Sequence, residues 1–307
     1  MRTLSVQPGR PEGIIHVMRS STTAGSATTP RLPAALALGA VHLVVSNLDR
    51  SIAWYERSLG LALHDRSADE AALGDGSEPV VVLHRDHDAR SPGRHAGLYH
   101  YALLYPDRRS LALAAARLAE TQTPISGASD HGTHEAIYLD DAEGNGIELA
   151  ADRPRERWPQ GLGYAGGPAP LDLRSLLAEA AGEAPGPAGT GLRVGHMHLH
   201  VGDIDQALGF YRDLIGFEEQ ANLGSAAFVS AGGYHHHLGV NIWRGRGVGP
   251  APPHTIGLRH WTVLLPDAAA VAAVRARVEA AGVPRDAAGD GFLVRDPWAN
   301  AVVFRSG

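Results

Sequence analysis

The chain alternates short apolar strands with amphipathic helical stretches in a fixed order that recurs along its length. "VHLVVSNLDRSIAWYERSLGL" opens at Val41 and "MHLHVGDIDQALGFYRDLIGF" at Met197. In both, alternation of apolar residues predicts a strand, an Asp follows near a helix start, apolar residues recur at helical spacing, and a Gly ends the helix. Without a gap the two match at His42/His198, Leu43/Leu199, Val45/Val201, Asp49/Asp205, Tyr55/Tyr211 and Gly60/Gly216. A second pair, "GLYHYALLYPD" from Gly97 and "GLRHWTVLLPD" from Gly257, leads into Ala-rich helices expected over Leu111–Thr121 and Ala268–Ala281. A turn and a strand follow in each, "DDAEGNGIEL" and "RDPWANAVVF". Self-similarity of this kind predicts four modules, at about residues 38–90, 95–152, 192–245 and 255–306, each a strand, a helix and then further strands.

The connections set the expected boundaries. Residues 1–35 are rich in Ser, Thr, Gly and Pro and lack the apolar core of a secretory signal, which reads as a disordered leader. A Gly/Pro-rich stretch around one short helix, residues 153–191, separates the second module from the third. The expected domains are therefore 36–152, holding the first two modules, and 192–307, holding the last two.

Composition narrows the class. With 307 residues the chain is long enough for one large or two ordinary cores. Its 27 Lys plus Arg against 33 Asp plus Glu make it mildly acidic, which argues against a nucleic-acid partner. No apolar run approaches a membrane span of about 20 residues. The absence of cysteine rules out disulfides and thiolate metal sites, and the expectation is a cytoplasmic protein. No strand–Gly-rich loop–helix fingerprint for a phosphate occurs, and spacing alone supports no Ser–His–Asp arrangement.

Histidine is the residue that calls for explanation. "LRVGHMHLHV" puts His196, His198 and His200 on one side of a strand, because side chains alternate with period two. In the first module Val41, Leu43 and Val45 face away from His42. In the third, Met197, Leu199 and Val201 oppose His198. In the closing strand of the second, Ile147 and Leu149 oppose Glu148. If helices cover the apolar faces, these polar groups turn into a common concave face. In "YHHHLGV", His236 shares a face with Leu238, Val240 and Ile242 and is expected to pack on a helix. His235 and His237 share the other face, and one of them is expected to reach the substrate.

Four βαβββ modules with His on opening strands and "GNGIEL" closing one resemble the vicinal oxygen chelate superfamily, which includes glyoxalases, extradiol dioxygenases and bleomycin-resistance proteins. "GLYHYALLYPD", "GASDHGTHEAIYLDDAEGNGIELAADRPRERWP" and "SAGGYHHHLGVNIW" resemble more narrowly the bacterial catechol-2,3-dioxygenase family, over about residues 38–306. The resemblance implies an α+β fold of four modules paired into two cup-shaped mixed sheets with helices outside. It also implies metal ligands on inward-facing first and last strands.

Two imidazoles and one carboxylate that leave adjacent positions open form the triad of non-haem Fe(II) oxygenases. His100 and Glu148 are the expected ligands from the second module. The fourth module keeps His260 but has Val303 in place of Glu148 and Leu293 in place of Tyr138, so no complete site is expected there. The third ligand depends on pairing: His42 if the second module pairs with the first, His198 if it pairs with the third. The "YHHHLGV" segment favours the third, because the family takes an accessory His from that place. By the same resemblance, His131 matches an acid–base His and Tyr138 a catalytic Tyr, while His134 beside them receives no role.

The implied activity is extradiol cleavage of a catechol-like aromatic diol by O₂ with Fe(II), and Mn(II) accepts the same ligands. Self-association is left open. Two rivals remain: a glyoxalase-like metal-dependent lyase or isomerase, whose sites add a second carboxylate for which only Glu78 offers itself, and a metal-free protein that sequesters a small drug.

Overall fold

The computed structural model describes residues 31–159 and 168–307. Residues 1–30 of the expected leader and 160–167 of the expected linker lie outside the described residues. Residues 31–35 do not behave as a loose leader: Leu32 is buried and its amide donates to the Gly216 carbonyl at 2.8 Å.

Each module is built as its pattern predicts. The opening strands are Val41–Val45, Gly97–Tyr105, Arg193–His200 and Gly257–Leu265, and each is followed by a helix whose first turn is capped by one side chain. Asn47, Asp107, Asp203 and Asp267 accept from the backbone N–H three residues on, satisfying a donor that the helix itself leaves unpaired. The Ala-rich helices run Arg108–Glu120 and Ala268–Ala280. In the first and third modules a short α-helix continues as a π-helical turn, Tyr55–Leu59 and Gly209–Ile215, and ends on Gly60 and Gly216 at positive φ, where a Cβ would be strained. Among the described residues no helix is long and apolar enough to cross a membrane.

Module pairing is crossed. One nine-stranded sheet joins the first and fourth modules, the other the second and third. Within each, the two opening strands run antiparallel side by side, and each lies parallel to the last strand of its own module. The sheets therefore cut across the two chain halves expected as domains. What ties consecutive modules together is buried polar contact. Tyr55 donates to Asp141 at 2.9 Å and Tyr211 to Asp296 at 3.0 Å, so each helix of an odd module is anchored to the last turn of the module after it. These tyrosines, expected only as core, carry a hydrogen bond as well.

The core lies between sheets and helices. Alternate residues of the central strands, among them Leu43, Leu83, Leu103, Leu149, Leu199 and Phe304, are fully buried against the helices. The other set of alternate residues lines each concave face, where the histidines stand.

Candidate metal centre

Crossed pairing brings His198 directly opposite His100 on neighbouring opening strands and places Ala102 beside Glu148 on the closing strand. The second and third modules thus share one concave face. On it the ligating atoms of His100, Glu148 and His196 all lie within 4.8 Å of one another, and all three side chains are buried. Glu148 Oε2 stands 3.2 Å from His100 Nε2 and 3.1 Å from His196 Nε2, while Oε1 is 3.1 Å from His134 Nε2.

Of these contacts, that between His196 Nε2 and Glu148 Oε2 has hydrogen-bond geometry and the other two do not. His100 Nε2 and Glu148 Oε1 have no hydrogen bond despite neighbours near 3 Å, so they converge on a point rather than pair along a line. A buried carboxylate left in that condition is costly. Two imidazoles and one carboxylate converging in this way fit a divalent cation of the Fe(II), Mn(II) or Zn(II) type.

Electrostatics favour the ligating forms. Burial alone raises the Glu148 carboxyl, but His196 and the close imidazoles of His100 and His134 outweigh it and hold the group well below the usual carboxylate range. Burial lowers His196 against the opposing pull of Glu148, which keeps a ring-nitrogen lone pair free to ligate.

The second imidazole of the converging group belongs to His196, two residues before the expected His198. His198 lies on the same face, its ring centroid 5.0 Å from that of His100, but outside the converging group. His42, the alternative, is in the other sheet, where it contacts His84 at 2.8 Å and stacks on His260 at 3.9 Å. The helix caps carry a ruler that picks out the two histidines of the converging group. His100 precedes the cap Asp107 by seven positions, and His196 precedes Asp203 by seven. The same count lands on Ala40 in the first module and His260 in the fourth. Matching His42 with His198 follows the repeat alignment, five positions before each cap, and that position lies outside the converging group. Leu293 faces Val303 in the fourth module as Tyr138 faces Glu148 in the second, so the other sheet has no carboxylate at the position of Glu148.

Around the centre, Tyr138 Oη lies 2.7 Å from His131 Nε2, and the Tyr138 ring is 5.7 Å from that of His100. His131 stacks on His134 at 4.5 Å, and His134 on His235 at 4.5 Å. His235 Nε2 is 3.0 Å from Asp152 Oδ1, whose other oxygen accepts from Tyr234 at 2.9 Å. His134, Asp152 and His235 form a second group with ligating atoms within 4.8 Å.

The triple histidine departs from its expected facing. The strand begins only at Leu238, so His235, His236 and His237 precede it in a turn where alternation does not hold. His236, expected against a helix, packs on His196 at 4.1 Å. His237 turns aside: its Nδ1 accepts from the Ala231 amide at 3.1 Å, and its ring lines a cavity of about 770 Å³ with Tyr234, Asp152 and Arg193. His235 remains beside the centre. His134, Asp152 and His236 carried no sequence signal beyond proximity to matched residues.

Comparison with known proteins follows the same lines. The family profile of the Glyoxalase/Bleomycin resistance protein/Dioxygenase superfamily matches residues 37–149 and 193–304. The chain is 39% identical over 273 residues to a catechol-2,3-dioxygenase of Bacillus subtilis (strain 168), covering 87% of this chain and 95% of that protein. The crystal structure of a provisionally assigned dioxygenase from Bacillus subtilis superposes with a TM-score of 0.63 at 13% identity, covering 90% of this chain and 86% of the other. Glyoxalase I from Zea mays gives 0.54 at 17% identity, over 88% and 93%. At those identities the two structures speak for the fold.

Proposed function

Because the chain belongs to the Glyoxalase/Bleomycin resistance protein/Dioxygenase superfamily, we propose that it is an extradiol dioxygenase: it opens the ring of a catechol-like aromatic diol with O₂, using Fe(II) held by His100, Glu148 and His196. The observation that carries this reading is the convergence of those three buried side chains, with His100 Nε2 and Glu148 Oε1 left without hydrogen bonds. Fe(II) at this place would supply adjacent open positions for diol and O₂ and a path for electrons between them.

The remaining tasks fall to side chains. Burial first, then the neighbouring His134, lowers His131 to about 4, so near neutral pH its ring is uncharged and, with the proton on Nδ1, Nε2 can accept from the Tyr138 hydroxyl. The pair can take a proton from a bound diol at the Tyr138 oxygen and return it later. Asp152 and Tyr234 fix the orientation of His235. His236 and the stacked rings of His131, His134 and His235 close the sides of the centre.

Register favours this reading over a lyase of the glyoxalase kind. Glu148 pairs with Ala102, two residues past His100; the equivalent partner of His198, two past His196, is Gly239. The place for a second carboxylate is therefore held by a residue with no side chain, and Glu78 lies in the other sheet's module.

The test is anaerobic loading with Fe(II), followed by a panel of catechols and O₂. A yellow ring-opened product with matching O₂ uptake is expected. Metal-loaded protein that consumes no O₂ with any diol, or that acts equally well without O₂, overturns the reading.

A further inference from the structure

Two polar atoms on the concave face beside the metal centre have no partner: Nε2 of His198 and Nδ2 of Asn241, in side chains that are 4% and 0% exposed. They stand on adjacent parallel strands, where His198 pairs with Gly239 and His200 with Asn241. Both point to one face, because the four positions are in register and two residues apart. The orientation of the amide is settled by its oxygen, which accepts from the Trp243 backbone N–H at 3.1 Å and contacts His200 Nδ1 at 2.7 Å. That leaves Nδ2 as an unused donor.

Space for the imidazole is made by a missing side chain. A Cβ on Gly239 would lie 3.0 Å from the ring of His198. Aromatic groups wall the same place: Tyr99 stands edge-on to His198 at 5.0 Å, Phe228 edge-on at 5.7 Å, and Trp243 at 5.4 Å. Tyr99 and Trp243 are 39% and 53% exposed, which puts this wall where the concave face meets solvent. Buried polar atoms without partners are rare in folded proteins and call for a ligand or a water to complete them.

We propose that His198 and Asn241 form a polar subsite that receives an oxygen-bearing substituent on the ring of the diol, with Tyr99 and Trp243 stacking on the ring itself. The inference rests on the dioxygenase reading and adds the substrate class: diols with a hydroxyl, carbonyl or carboxylate on the ring rather than plain catechol or an alkylcatechol. Nothing in it requires His198 to touch the metal.

Binding is measured under anaerobic conditions on Fe(II)-loaded protein, by quenching of tryptophan fluorescence with catechol, an alkylcatechol and a carboxylate-substituted catechol. One hydrogen bond's worth of preference, about 5- to 10-fold tighter binding of the substituted diol, is expected of the wild type. His198→Phe keeps an aromatic ring, and Asn241→Asp keeps the oxygen that holds Trp243. Both should lose the preference while binding plain catechol and iron as the wild type does. Equal affinity for all three diols in the wild type, or a preference that survives in both variants, overturns the subsite and leaves the dioxygenase reading standing. Failure of every diol to bind overturns both. A loss of iron in His198→Phe makes that residue a ligand and overturns the assignment.

Discussion

His196 Nε2 lies 3.1 Å from Glu148 Oε2 across 48 residues of sequence and two different modules. The contact exists only because the opening strands Gly97–Tyr105 and Arg193–His200 are hydrogen-bonded neighbours. It makes the third module, not the first, the source of the missing imidazole.

From this geometry His196→Ala and Glu148→Gln should each reduce bound iron to a small fraction of one equivalent per chain. His198→Ala and His42→Ala should retain it. Elemental analysis after iron loading and desalting reads the difference directly. Loss of iron in His42→Ala would contradict crossed pairing as the basis of the site.

The 2.7 Å contact between His131 and Tyr138 predicts a defect in turnover rather than in metal binding. His131→Phe should lower kcat by about 10²- to 10⁴-fold, the range ordinarily lost with a positioned acid–base group. Iron content should stay unchanged. Steady-state O₂ uptake together with elemental analysis checks both halves.

Buried histidines give stability a definite dependence on pH. Burial, first in each case, lowers His42 and His235 to about 3 and His84, His131, His200, His237 and His260 to about 4. The unfolded chain therefore binds more protons than the folded one between those values and about 6.5, so unfolding becomes easier as pH falls through that window. Stability should be full above about pH 6.5 and decline steadily toward pH 4. Urea midpoints of metal-free protein at pH 7.5, 6 and 5 measure it; midpoints that do not move would contradict the burial of these rings.

Tyr211→Phe removes the donor to Asp296, a buried carboxylate also held by Asn300 and the Trp298 amide. A cost of about 1–3 kcal/mol is expected from a buried acceptor losing one partner. Tyr55→Phe should cost at least as much, since its hydroxyl contacts both Asp141 and Tyr101. Denaturant titration of both variants tests whether these bonds hold consecutive modules together.

Local pattern determined a great deal about this protein. Alternation and helical spacing located the four modules and the buried faces, because these depend on neighbours within a few residues. The caps of the first and third helices, by contrast, fall on Asn47 and Asp203, two residues before the matched Asp49 and Asp205. The same local pattern also put His100 and Glu148 on one concave face, and the seven-residue interval from each histidine to its cap aspartate was present in the chain throughout. Tertiary structure alone decided which modules share a sheet, since strand edges offer the same backbone hydrogen bonds to any suitable partner and local pattern does not say which one will take them. It decided equally that His196 converges with Glu148 while His198 stands beside it over Gly239. It also turned His236 toward the centre and His237 away from it, because those residues lie in a turn where alternation has no force.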